Sequence, residues 1–165
     1  PILSPNVERD FSDRGHLNWR HFALIRAQWK GHLVVKGILS ADDAGIARDA
    51  GADAIIVSNH GGRQLDGAVS PLRVLPYVVA ACPDIPVMID GGVRRGSDVL
   101  KALGLGAQFV FVGRPFAYAA AVGGQAGVAH AINLLAAEVS RDMAMLGVNS
   151  LDEISCSRHL VEEPL

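Results

Sequence analysis

The chain has 165 residues, half of them hydrophobic, and a formal net charge of −2 at pH 7. That length supports one domain with its own core, and the near-neutral balance gives no global field for nucleic acid or an anionic membrane. Cys82 and Cys156 fit no metal spacing and no disulfide framework, so a reducing compartment is the default; no signal peptide and no apolar run of bilayer-spanning length is read.

The opening, "PILSPNVERDFSDRG", is polar, Pro-containing and aperiodic, and residues 1–17 are read as loop. Without an initial Met it reads as part of something longer, although a processed N-terminus would look the same. From residue 18, "NWRHFALIRAQWK" sets Trp19, Phe22, Ile25, Arg26 and Trp29 at helical spacing, with Asn18 as N-cap. "HLVVKG" is a short β-branched run with a polar tip. "SADDAGIARDAGA" predicts a helix that starts on a cap serine and ends at Gly51. "DAIIVSN" is the next strand. "SPLRVLPYVVAAC" predicts a helix with Ser70 as cap and Pro71 at its first position. "IPVMIDGG", "RGSDVLKALGLGA" and "QFVFVGRP" add a strand, a helix and a strand. A short helix from about Phe116, a long one from about Gly127 to Leu146 and an irregular tail close the chain.

Four short apolar strands alternate with helices, as in a parallel sheet buried on both faces. The doubly wound sheet and the (β/α)8 barrel both use this alternation. No G-x-G-x-x-G follows the first strand, which counts against a dinucleotide site. A full barrel typically needs about 250 residues, so the chain is either a small open sheet or about half a barrel.

Each strand ends in residues able to do chemistry: Lys36; Ser58, Asn59 and His60, with Arg63 close behind; Asp90-Gly91-Gly92, then Arg94; and Gly113-Arg114. In parallel α/β folds the chemistry gathers beyond the carboxyl ends of the strands. Taken singly, each is more simply a strand-end polar group facing water, and Arg95 in particular reads as a solvated turn. Four such ends in one mouth outweigh that reading. Glycine admits backbone N–H groups close to a ligand, and arginine beside them makes an anion site, with Arg114 favoured for phosphate. His60 carries an imidazole, which suits a base. Arg63 offers a planar fork for a carboxylate. Asp66 either orients the imidazole or caps a turn. Lys36 either sets a positive charge beside a developing anion, forms a salt bridge or serves as a Schiff-base lysine.

The stretches "VKG", "SNHGGRQLDG", "IDGGVRRGSDVLKALGLGA" and "VFVGRP" resemble the FMN-dependent α-hydroxy acid oxidase and dehydrogenase family, from about Asn18 to Ile154. That family includes glycolate oxidase, lactate oxidase, L-lactate dehydrogenase and (S)-mandelate dehydrogenase. The resemblance implies a (β/α)8 barrel of which residues 18–155 supply the C-terminal half, strands 5 to 8, with 156–165 as tail. Residues 1–17 would then end the long loop after strand 4. It implies His60 as base, Arg63 as carboxylate clamp, Lys36 beside the flavin ring, Ser58 as a ring contact and Asp66 paired with His60. It assigns Asp90, Gly91, Gly92, Val93 and Arg94 to the FMN loop, and Gly113 with Arg114 to the rest of the phosphate site.

The implied reaction oxidises an (S)-2-hydroxy acid to the 2-oxo acid, with FMN as electron acceptor. The family's tyrosines near the substrate have no match, since Tyr77 and Tyr118 fall on predicted helices. Four strands alone would leave two open edges and a bare inner face. The expected partners are therefore the N-terminal half of the barrel, in the same or a separate chain, and further copies, the related proteins being tetramers. A cytoplasmic setting is expected, with peripheral attachment at the inner membrane through a loop outside this chain. "FSDRGHLNWRHFALIR" leans toward the mandelate or lactate dehydrogenases, and the tail carries no peroxisomal signal. The competing readings are a flavin-free phosphate-binding isomerase or aldolase and an inactive half-barrel assembly module.

Overall fold

A computed structural model describes residues 17–160; the expected N-terminal loop and the end of the tail lie outside them. In chain order the elements are α1 (Trp19–Gln28), β1 (Val34–Ile38), α2 (Ala41–Asp49), β2 (Ala54–Val57), a 3-10 turn (His60–Gly62), α3 (Pro71–Ala81), β3 (Val87–Asp90), α4 (Gly96–Gly104), β4 (Phe109–Phe111), α5 (Arg114–Leu146), a 3-10 turn (Leu151–Glu153) and α6 (Cys156–His159). The caps explain several starts. Asn18 accepts from Arg20 N, and Ser40 Oγ from Asp42 N and Asp43 N. Ser70 makes no such bond. Pro71 after it lacks an N–H but is preset for the first helical position, so α3 starts there all the same.

The sheet runs β1-β2-β3-β4, all parallel. This order never reverses. A doubly wound sheet reverses and receives helices on both faces. Here every crossover falls on the same side, which is barrel geometry. The alternation of side chains along the strands then divides the residues. Ile55, Val57, Val87 and Ile89 are buried on the helix side, in one core with Ala44, Ala47, Leu75 and Val78. On the other face Lys36, Ile56, Met88 and Phe109 align across the four strands, and Asp90 faces Phe111. That face is bare: Val34 is 43% exposed, Phe109 55% and Phe111 40%.

Two helical expectations change. The short and long helices form one element, Arg114–Leu146, broken at Gly124, whose φ of 55° and ψ of −140° no helix contains. By length and composition this element is long and apolar enough to cross a membrane, whereas the sequence reading gave two helices and no apolar run of that length. Its second stretch packs on α4 and pairs Glu138 with Arg95. It therefore serves here as a covering helix of the domain.

Arg26 ties α1 to the base of the sheet. Its Nη1 donates to Asp53 Oδ2 at 2.8 Å and to Gly51 O at 3.3 Å, and its Nη2 donates to the carbonyls of Trp29 and Gly31. Asp53 Oδ2 also accepts from Leu33 N at 2.7 Å. The Leu33 N–H first, and Arg26 second, hold the Asp53 carboxyl below the usual carboxylate range. A carboxyl depressed on folding contributes stability that is present above its unfolded value, about 3.9, and is lost as pH falls through the lower folded value. Asp53→Asn is expected to lower Tm at neutral pH by on the order of a few °C and to flatten the acid limb of a Tm-against-pH curve. An unchanged acid limb would remove Asp53 from that role.

Candidate active site

The carboxyl ends of β1, β2 and β3 meet through side chains. Lys36 Nζ donates to Ser58 Oγ at 2.9 Å and lies 2.7 Å from Asp90 Oδ2. Ser58 is 1% exposed, and its Oγ also accepts the His60 N–H at 3.0 Å. One buried hydroxyl thus fixes both the lysine and the backbone of the histidine. Of the readings left open for Lys36, the structure shows the salt bridge, made at the mouth of the sheet.

Beyond Ser58 the chain turns sharply outward. His60 takes a left-handed φ of 55°, and Gly61 and Gly62 follow at 68° and 75°. A non-glycine residue in that region is unusual and costs local energy. Asn59 supports the turn: its Oδ1 accepts from Gly61 N at 3.0 Å, and its Nδ2 donates to Val69 O at 3.3 Å. The result presents the imidazole on the surface, where it takes no hydrogen bond among the described residues. It lies over Gly37, where a Cβ would come 3.4 Å from His60 Cε1.

Asp66 and Arg63 follow on the surface. Asp66 is exposed and accepts from the N–H of its own neighbour Gly67, and among the described residues it makes no hydrogen bond or ion pair with His60. Its role here is the turn cap. The reason is local: an aspartate accepts readily from a nearby backbone N–H. Arg63 is exposed and unpaired among the described residues.

These ends surround one cleft of about 710 Å3, lined by Lys36, His60, Arg63, Asp90, Arg94 and Arg114 among others. Gly91, Gly92, Val93 and Gly113 line it too; Ser58 lies beneath it and Asp66 outside it. Of the charged residues there, only Asp90 is acidic, and Lys36 already pairs with it, so the open charge is cationic. Arg114 Nη2 donates to Gly61 O at 3.0 Å and so bridges the end of β4 to the histidine turn. Phe111 and Tyr118 also line the cleft. Both were missed. The signals were present: Phe111 is the register partner of Asp90, and Tyr118 stands four residues after Arg114, on the same helix face.

The FMN that the resemblance implies fits this cleft. Asp90 Oδ1 is buried without a hydrogen-bond partner, so it can accept from a ligand hydroxyl. Gly91 and Gly92 have φ of 95° and 81°, and open space surrounds the Cα of Gly92, so backbone N–H groups can come close to a bound group. Arg94 and Arg114 bring guanidinium groups for a phosphate.

Known proteins support the same assignment. A family model described as FMN-dependent dehydrogenase matches residues 5–162. An L-lactate dehydrogenase of Caulobacter sp. (strain K31) is 49% identical over 86% of this chain and 37% of its own length. An L-lactate oxidase of Nostoc sp. (strain PCC 7120) is 50% identical over 86% of this chain and 39% of its own. The solved structure of a soluble mutant of the membrane-associated (S)-mandelate dehydrogenase from Pseudomonas putida superposes with a TM-score of 0.82 at 45% identity, over 86% of this chain and 40% of that one. The chain thus spans about two fifths of the length of these relatives. Its four parallel strands, with helices on one side only, are part of a (β/α)8 barrel. This chain belongs to the FMN-dependent dehydrogenase family.

Proposed function

We propose that the chain supplies the C-terminal half of an FMN-dependent (β/α)8 barrel that oxidises a small (S)-2-hydroxy acid, of lactate, mandelate or glycolate type, to the 2-oxo acid. The observation that carries this reading is the meeting of Lys36, His60, Arg63, Asp90, Arg94 and Arg114 on one cleft. FMN, when bound, supplies the acceptor for the two electrons that leave the α-carbon.

This chain's residues divide the remaining work. Arg63 takes the substrate carboxylate in its fork. His60 accepts the proton, from the hydroxyl or from the α-carbon. Lys36, steadied by Ser58 and Asp90, sets a positive charge where negative charge develops on the cofactor ring. Asp90, through its unpaired Oδ1, and the Gly91–Gly92 backbone bind the cofactor's polar chain, and Arg94 with Arg114 bind its phosphate. A flavin-free aldolase is disfavoured because Lys36 Nζ is committed to Asp90 and Ser58 rather than free to attack a carbonyl.

The bare inner face and the single-sided edges of β1 and β4 support a partner: strands 1 to 4 of the barrel, from the same or a separate chain. The whole protein is proposed to be a homo-oligomer in the cytoplasm, held peripherally at the inner membrane. The membrane-associated relative supports that placement.

Arg63→Lys tests the clamp. A point charge cannot replace a two-point fork, so KM for the hydroxy acid is expected to rise and kcat/KM to fall by on the order of tenfold or more. FMN binding should not change. Unaltered kinetics would remove Arg63 from the substrate site.

A further inference from the structure

Glu138, on the last long helix, touches neither the cleft nor any residue assigned to substrate, yet it reaches the segment that carries the cofactor residues. Its Oε1 accepts from Arg95 Nη1 at 2.6 Å and its Oε2 from Gly96 N at 2.9 Å. The Glu138 side chain is only 13% exposed, whereas that of Arg95 is 70% exposed. The Gly96 N–H, and then Arg95, hold its carboxyl below the usual carboxylate range, so it is an anion at neutral pH.

We propose that Glu138 is a positioning residue for the cofactor segment: it holds Arg95 and the start of α4 so that Arg94, not Arg95, faces the cleft. The proposal rests on the reading of that cleft as the FMN site.

The segment between β3 and α4 needs such an anchor. It begins with Gly91 and Gly92, both left-handed, and a Cβ on Gly92 would meet nothing within 4 Å. Gly91 lies close to Asn59 and Pro71 and Val93 is buried, but neither contact sets the direction of the two arginine side chains that follow. At its other end, Asp98 Oδ2 accepts from both Arg94 N and Arg95 N, at 3.0 and 3.1 Å. This fixes the backbone of the two arginines without choosing between their side chains. Glu138 chooses: it binds the Arg95 guanidinium away from the cleft, and Arg94 lines the cleft while Arg95 does not. Glu138 also fills the place of an anion at the start of α4. Without it, Arg95 and the Gly96 N–H would compete for the cofactor phosphate.

The test is an FMN titration, followed by flavin fluorescence, into the apo form of the whole protein: wild type, E138Q, R95Q and the double variant. E138Q keeps the side chain's size and removes its charge. Its Kd for FMN is expected to rise on the order of tenfold, because the amide keeps one acceptor oxygen and makes the other site a donor, so Arg95 Nη1 and Gly96 N can no longer both be satisfied. R95Q, at an exposed position, is expected to weaken binding by about threefold. The double variant should bind no more weakly than E138Q alone, since with Glu138 neutral there is no pair left to lose. Losses that multiply would overturn the proposal. An E138Q protein with wild-type FMN affinity would also overturn it, as would one whose apo Tm falls while that affinity stays. If E138Q does not fold, R95Q decides, and unchanged affinity there counts against the proposal. Wild type that takes up no FMN would overturn the cofactor reading and this inference together. Wild type that binds FMN while E138Q binds equally well overturns this inference alone.

Discussion

His60→Gln is expected to slow flavin reduction by 2-hydroxy acids by about 10²- to 10⁴-fold, the usual contribution of a general base, while FMN stays bound. The geometry allows a clean test. The imidazole has no hydrogen bond to lose among the described residues, and the His60 backbone is held independently by Ser58 Oγ at 3.0 Å. Glutamine matches much of the imidazole's size and hydrogen bonding but has no basic nitrogen that titrates near neutrality. The substitution therefore removes the base and leaves the turn. Gln is not glycine, so it meets the same left-handed φ of 55° that His60 already accepts. Stopped-flow mixing with substrate under anaerobic conditions reads the effect directly. Reduction at the wild-type rate would take His60 out of the proton transfer. Loss of FMN from the variant would instead give His60 a structural role.

The same substitution at two glycines should have opposite signs. A Cβ on Gly96 would lie 2.5 Å from Val139 N and 2.7 Å from the Glu138 carbonyl carbon. Those are backbone atoms of α5, so a whole helix must move. Gly96→Ala is expected to cost about 1–3 kcal/mol, the usual range for overpacking, and to pull Gly96 N away from Glu138. Gly45, inside α2, meets nothing within 4 Å of a built Cβ. There Gly→Ala should stabilise by about 0.5–1 kcal/mol, because alanine has less chain freedom to lose. Urea unfolding of the two variants beside wild type decides it. Equal stability of Gly96→Ala and wild type would mean that the α4–α5 spacing is not set by that contact.

The strands and their chemical ends were legible because both signals are local. Short apolar runs such as Ile55–Val57 and Val87–Ile89 mark buried strands, and a polar residue or a Gly-Gly directly after each marks its mouth. Lys36, His60, Asp90 and Arg114 come together because parallel strands all end at one side. That rule needs no knowledge of distance. Where pairing runs across the chain, the sequence is silent. Arg26 meets Asp53, and Glu138 meets Gly96 forty-two residues away, and no spacing rule points to either pair. For Asp66 the sequence left two readings open, a partner for His60 or a turn cap, and in this structure it accepts from the adjacent N–H of Gly67. The long element was read as two helices, one from about Phe116 and one from about Gly127 to Leu146. The structure keeps one element and places the break at Gly124.

The open inner face decides what must be tested as a whole. Phe109 and Phe111 are exposed on the face that carries Lys36 and Asp90, so the cleft has one finished wall, and under the proposed function the other half of the barrel stands opposite it. The most direct measurement is the visible spectrum of the purified whole protein, before and after anaerobic addition of L-lactate or (S)-mandelate. The expected result is a yellow protein that bleaches with at least one such 2-hydroxy acid and regains its colour when an electron acceptor is added. A colourless protein, or a yellow one that no 2-hydroxy acid bleaches, would contradict the proposed chemistry.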